Sequence, residues 1–297
     1  MNRVTLKDIL KSKIEHLYGI EFNTFIDSLF SQIYGSDYKC IKQKRDLGSD
    51  GIIETKKICL ACYAPEKFNK REFEKKVDED FKKYEKNYKK LEYIWRFIIN
   101  QKLLGNIVTY IENKDTTADI WGIEELINFA LNLPPSKRRV VLREVFSLPP
   151  EFIEFDFIEE VISEISENRN TSSDYIPRYN TPLDTIKKIE INFKGEDIKI
   201  VRKKFEYFYA EHISYLQKTL ESFDNDFISH IKMMILEEYQ ILNENFSFKE
   251  KFKHLVNRFS SKYPNDYEYK NYVELILLYF FEQCLIGTST EEKNDTP

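Results

Sequence analysis

The sequence predicts an α/β N-terminal half, a mixed sheet flanked by helices, followed by an all-α C-terminal half. Three observations carry this expectation. Up to Phe146, short apolar runs alternate with amphipathic stretches at helical spacing. From Ile198 onward, helical spacing is what recurs. Between the two, residues 167–185 are polar, contain Pro177 and Pro182 and lack periodicity, which reads as a linker. The expected organisation is an α/β domain over residues 1–166, the linker, a helical domain over residues 186–287 and a disordered polar tail over residues 288–297.

Taken in order, Leu6 to Tyr18 reads as a helix. Ile9, Leu10, Ile14 and Leu17 lie on one stripe, Thr5 and Asp8 suit a capping box, and Gly19 ends it. A second helix runs from about Glu21 to Tyr34, with Phe22, Phe25, Ile26, Leu29, Phe30 and Ile33 on one face and Glu21 off it, in the first turn, where an acid also suits the positive end of the helix dipole. Tyr38 to Lys42 and Ile52-Ile53 read as strands, and Glu54 to Lys57 as a hairpin turn. Ile58 to Tyr63, short, apolar and bounded by Lys56-Lys57 and Pro65, reads as a buried strand. Phe68 to Leu91 is the clearest helix, because Phe73, Val77, Phe81, Tyr84, Tyr88 and Leu91 recur every three or four residues. Tyr93 to Asn100 reads as a strand and Val108 to Ile111 as another. Ile123 to Leu133 and Ser136 to Phe146 are helices ended by proline pairs, and Phe152 to Ile165 is an acidic helix.

Beyond the linker, Ile186 to Phe193 reads as a brief extended piece. Helices then follow at Ile198 to Leu220, Asp226 to Asn243, Phe248 to Phe259 and Tyr267 to Cys284. The dense apolar run Val273 to Phe281 suits the central helix of a small bundle. Phe280 and Phe281 are neighbours, so they point about 100° apart. The expectation is that one packs inside and the other lies near a surface used by a partner or a second copy of the chain.

Composition narrows the class. In 297 residues, 32% charged and 15% aromatic with only 8 glycines, the balance suits a helix-rich folded protein rather than a sandwich or a disordered chain. The net charge of −5 argues against a globally basic nucleic-acid binder. The distribution is uneven: Lys39 to Lys90 holds 16 Lys and Arg against 10 Asp and Glu, so a local basic face and solvated helix faces are both open readings. Cys40, Cys59, Cys62 and Cys284 form no disulfide framework. The Cys59–Cys62 spacing falls in a strand, where residues three apart face opposite sides, and reads as structural burial. Met1 to Asp8 has no apolar core of signal-peptide length, and no run approaches about 18 apolar residues, so a cytoplasmic protein without a membrane partner is expected.

The stretch with chemical content is Lys44-Arg45-Asp46-Leu47-Gly48-Ser49-Asp50-Gly51-Ile52-Ile53, followed by the Ile58 strand. A glycine-bearing turn can aim Asp50 at a metal ion, while Asp46 either assists or bonds backbone amides. With Glu21-Phe22 on the early helix, this pattern resembles the restriction-endonuclease (PD-(D/E)xK) superfamily. Tyr63-Ala64-Pro65-Glu66, and the ending Tyr279-Phe280-Phe281-Glu282-Gln283-Cys284-Leu285-Ile286, are similar to proteins of bacterial ABC three-component defence systems, relatives of Lamassu. The resemblance spans roughly Glu21 to Gly122 and Ile189 to Ile286. It implies a restriction-endonuclease-like N-terminal domain, DNA as substrate, Mg²⁺ held by Glu21 and Asp50, and an SMC-like or ABC-type ATPase as partner.

One part of the pattern departs from that superfamily. Where Glu or Gln, any residue and then Lys are expected, the strand holds Ala61, Cys62 and Tyr63. Glu66 and Lys67, a few residues on, are the candidates for the missing acid and cation. A non-catalytic subunit that binds DNA or scaffolds the ATPase is the competing reading. His16, His212, His230 and His254 fall in no catalytic spacing, and no phosphate-binding G-x-x-x-x-G-K-[ST] loop occurs, so the chain is not itself the ATPase.

Overall fold

A computed structural model describes residues 3–41, 49–167, 184–283 and 285–288. The chain divides into two compact units, residues 3–148 and residues 149–297 with the first two. No helix among the described residues is long and apolar enough to cross a membrane.

In the N-terminal unit, α1 (Arg3–Glu15) and α2 (Gly19–Tyr34) precede a five-stranded sheet of β1 (Tyr38–Cys40), β2 (Gly51–Ile53), β3 (Ile58–Tyr63), β4 (Ile94–Ile99) and β5 (Asp119–Trp121). The strands lie in chain order. β1, β2 and β3 are antiparallel neighbours, whereas β3, β4 and β5 run parallel. Parallel neighbours require crossovers. α3 (Lys70–Asn87) and α4 (Gly105–Glu112) supply them, and both pack on one face of the sheet.

Strand alternation decides which residues meet which helices. Cys59, Ala61, Trp95, Phe97 and Ile99 join Phe73, Val77, Tyr84, Ile107 and Ile111 in one buried cluster beneath α3 and α4. Arg96 belongs to the opposite face. It is nearly buried, and there it forms an ion pair with Asp119 at 2.6 Å and lies 3.9 Å from the Trp121 ring centroid. Phe30 of α2 meets the rings of Trp121, Tyr38 and Phe129, the last from α5 (Ile123–Leu131). α6 (Pro135–Val140) runs into a π-helical turn at Val141–Val145 and completes the unit.

One local expectation changes and one strand is added. Val108 to Ile111 is the second half of α4, with Ile107 and Ile111 buried one turn apart, so its four apolar residues belong to a helical stripe. β5 is a three-residue strand, too short for alternation to reveal. The expected Asp46 turn lies outside the described residues.

The C-terminal unit is helical: α7 (Pro150–Glu167), α8 (Thr185–Asn192), α9 (Glu196–Lys204), a π-helical turn (Phe205–Tyr209), α10 (Ala210–Glu221), α11 (Asn225–Gln240), α12 (Phe248–Phe259) and α13 (Tyr267–Glu282). α7, which the sequence reading places in the first domain, packs against α10, α11, α12 and α13. Most of the expected linker lies outside the described residues, as does the tail beyond Thr288. Ile186 to Phe193 is α8 for most of its length, and Asp184 caps it by accepting from the Ile186 amide at 3.0 Å.

The second half of α13 is packed inside the unit, with Leu275, Ile276, Leu277 and Leu278 all buried. Phe280 and Phe281 are both 0% exposed, which corrects the expectation that one reaches a surface. The Phe281 ring packs among Phe193, Phe205 and Phe248, contributed by separate segments, and the buried Lys188 ammonium donates to the Phe281 carbonyl. A cation there also complements the negative end of the α13 dipole.

Candidate functional site

Asp50 stands where β2 begins. Its amide donates to the Leu60 carbonyl at 2.8 Å, and its own carbonyl accepts from Ile41 at 3.1 Å. Its carboxylate Oδ2 accepts from the Cys62 amide at 2.6 Å, replacing the backbone acceptor that β2 would offer if it continued. Gly51 follows because Tyr38 lies across it: a side chain there would sit 2.8 Å from Tyr38 Cζ. Tyr38 reaches over the glycine to donate to Asp27 of α2 at 2.5 Å.

Asp50 and Asp27 line one cavity of about 320 Å³ between α2 and the sheet, with Asn23, Thr24, Cys40 and Cys62. The second Asp27 oxygen accepts from the Cys40 thiol at 3.1 Å, so the carboxylate is held at both ends. Burial raises the Cys62 thiol well above its usual range, and the negative charges of Asp50 and Asp27 raise it further. Cys59 belongs to the opposite face, in the cluster beneath α3, so the two thiols of the C-x-x-C stretch do not converge.

On α3, Lys76 and the buried Asp80 form an ion pair at 2.9 Å. Burial pushes the Asp80 carboxyl up to about 6, Lys76 offsets part of this, and Asp50 adds to it. Burial alone would lower the Lys76 ammonium, but Asp80 and then Asp50 outweigh it and raise it above its usual range. Asp50 therefore acts electrostatically on Asp27's neighbour Cys62 and on the Lys76–Asp80 pair alike.

No protein-family model, no curated protein and no solved structure matches the chain. The reading of the site therefore rests on its own chemistry.

The expected site residues are placed unevenly. Asp50 faces a cavity with a second carboxylate. Glu21 is exposed in the first turn of α2 and is not among that cavity's lining residues. Glu66 lines a different cavity, with Glu15, Tyr18, Asn100 and Lys102, and Lys67 is exposed. Asp46 lies outside the described residues. Ala61 is buried beneath α3 and Tyr63 is partly buried there, so neither offers an acid or a cation.

Mg²⁺ takes hard oxygen donors and needs only one or two carboxylates, because it keeps several waters. Asp50 and Asp27 meet that minimum. Among the described residues no group of three His, Cys, Asp or Glu converges to hold a metal. Asp50 and Asp27 are the two carboxylates this cavity offers among the described residues, and an ion held there would take the rest of its shell from water.

Asp27, Lys76 and Asp80 were not singled out from sequence, yet two signals were present. Ile20, Asn23, Thr24 and Asp27 fall at i, i+3, i+4 and i+7 and make a partly polar strip on α2. Asp80 occupies a position of the α3 apolar stripe, between Val77 and Tyr84, where a buried acid needs a partner such as Lys76.

Proposed function

We propose that this chain is the nuclease-type component of a bacterial ABC three-component, Lamassu-like defence system. In this reading it is a Mg²⁺-dependent DNA nuclease that acts with an SMC-like or ABC-type ATPase. The shared cavity of Asp50 and Asp27, at the edge of a mixed sheet flanked by helices, supports the metal-dependent part of this reading, and the defence system and its ATPase rest on the resemblance of Tyr63 to Glu66 and Tyr279 to Ile286. Asp50 and Asp27 would hold the ion, which supplies charge neutralisation at a phosphodiester. Lys76 rather than Lys67 keeps a cation near Asp50. Lys82, Lys86 and Lys90 lie further along and beyond α3 and have no carboxylate within ion-pair distance among the described residues, so they are available to phosphates.

A second reading is favoured by Ala61: a core alanine stands where the superfamily carries an acid. Here the domain is non-catalytic and scaffolds the ATPase complex or binds DNA.

Supercoiled plasmid incubated with the purified chain, alone and with its ATPase, in Mg²⁺ or Mn²⁺ separates the two. Nicking that disappears in Asp50→Asn and in Asp27→Asn supports the first. Absence of cleavage under every metal condition, with no Mn²⁺ bound at Asp50 in soaked crystals, supports the second.

A further inference from the structure

The C-terminal unit has a cavity of about 350 Å³ between α9, α12 and α13. Phe193, Val201, Phe252, Val256 and Leu278 make it largely apolar, and Ile200 at its edge remains 50% exposed. Four lysines and two acids share the lining. Lys249 pairs with Asp197 at 2.8 Å and Lys204 pairs with Glu274, tying α9 to α12 and to α13 across the gap. That leaves Lys253 and Lys270. Among the described residues neither has a carboxylate within ion-pair distance.

An apolar hollow of this size with a few polar groups at its border is the usual form of a small-molecule site. Two ammonium groups without partners beside it select for an anion, because a charge-assisted hydrogen bond there is stronger than a neutral one. Taking the roughly 30 Å³ that a water occupies as the unit, the volume holds about a dozen non-hydrogen atoms.

We infer that this cavity binds a small amphipathic carboxylate, its apolar body of about seven to nine carbons against Phe193, Phe252 and Leu278 and its head group at Lys253 and Lys270. The inference is independent of the nuclease reading, which concerns the other unit.

Calorimetric titration of the full chain with octanoate and with 1-octanol tests it. Octanoate should bind at least tenfold more tightly than the alcohol. The double variant Lys253→Gln/Lys270→Gln should lose at least tenfold for octanoate and nothing for octanol, with an unchanged melting curve because both side chains reach solvent. Ile200→Trp, which narrows the mouth, should weaken both ligands. Equal affinity for acid and alcohol, full octanoate binding by the double variant, or no binding of octanoate at millimolar concentration would each overturn the assignment.

Discussion

Asp50 accepts the Cys62 amide hydrogen bond at 2.6 Å, so the carboxylate with the best claim to chemistry also closes the sheet where β2 and β3 part. The two roles separate by substitution. Asp50→Asn keeps an oxygen acceptor and should change stability by less than about 1 kcal/mol, whereas Asp50→Ala strands a buried amide and should cost about 1–3 kcal/mol. On the nuclease reading proposed above, both should lose metal-dependent cleavage equally. Urea denaturation beside a plasmid assay reads both effects, and an Asp50→Ala protein as stable as the parent would show that the Cys62 contact contributes little.

Asp80 gives the N-terminal unit a pH dependence of definite sign. Its folded carboxyl titrates near 6 against an ordinary value of 3.8, so the folded state keeps a proton that the unfolded chain has released. The contribution of this group to stability is therefore greatest below about pH 4, falls as pH rises to about 6 and is level above that, by up to about 3 kcal/mol. Asp80→Asn should abolish the decline. Lys76→Met, which removes the partner cation, should steepen it and extend it to higher pH. Urea midpoints taken in half-unit steps between pH 4 and pH 7 measure both.

Legibility from sequence followed the strength of the periodic signal. α3 and α13 were plain because their apolar residues recur over four or more turns. β5 and α8 were not, since three residues show no period and eight residues with one cap resemble an extended piece. Asp50 was legible from its glycine-flanked turn. Its companion was not: Glu21 stood at the expected helix position, but the cavity is lined by Asp27, two turns further along α2. Which turn of a helix faces a strand edge depends on packing against the whole sheet, here on Phe30 meeting Trp121 and Tyr38. No local pattern encodes that.

Arg96 should be among the most sensitive positions of the N-terminal unit. Its guanidinium lies between Asp119, at 2.6 and 2.8 Å, and the Trp121 ring. Arg96→Met fills similar volume but leaves Asp119 without its cation, and because Asp119 is partly exposed the cost should be about 2 kcal/mol rather than the 3–5 of a fully buried pair. Arg96→Lys should recover only part of this, since an ammonium cannot form both contacts and stack flat on the indole. Guanidinium unfolding followed by tryptophan fluorescence reports the stability change and the altered Trp121 environment together.

The adjacent Phe280 and Phe281 give the sharpest contrast between a binding surface and a core. Both are fully enclosed, and Phe281 anchors a ring cluster drawn from α8's end, the π-helical turn and α12. Truncation to alanine at either position leaves a cavity that the surrounding helices can only partly close, so each should destabilise the C-terminal unit by about 3–5 kcal/mol. Phe281→Leu, which keeps most of the apolar volume, should cost markedly less. Had either ring served a partner surface, its alanine variant would melt like the parent and lose only association. Thermal unfolding with light scattering of the free chain distinguishes the two. A variant of Phe280 or Phe281 with parental melting would place that ring outside the core.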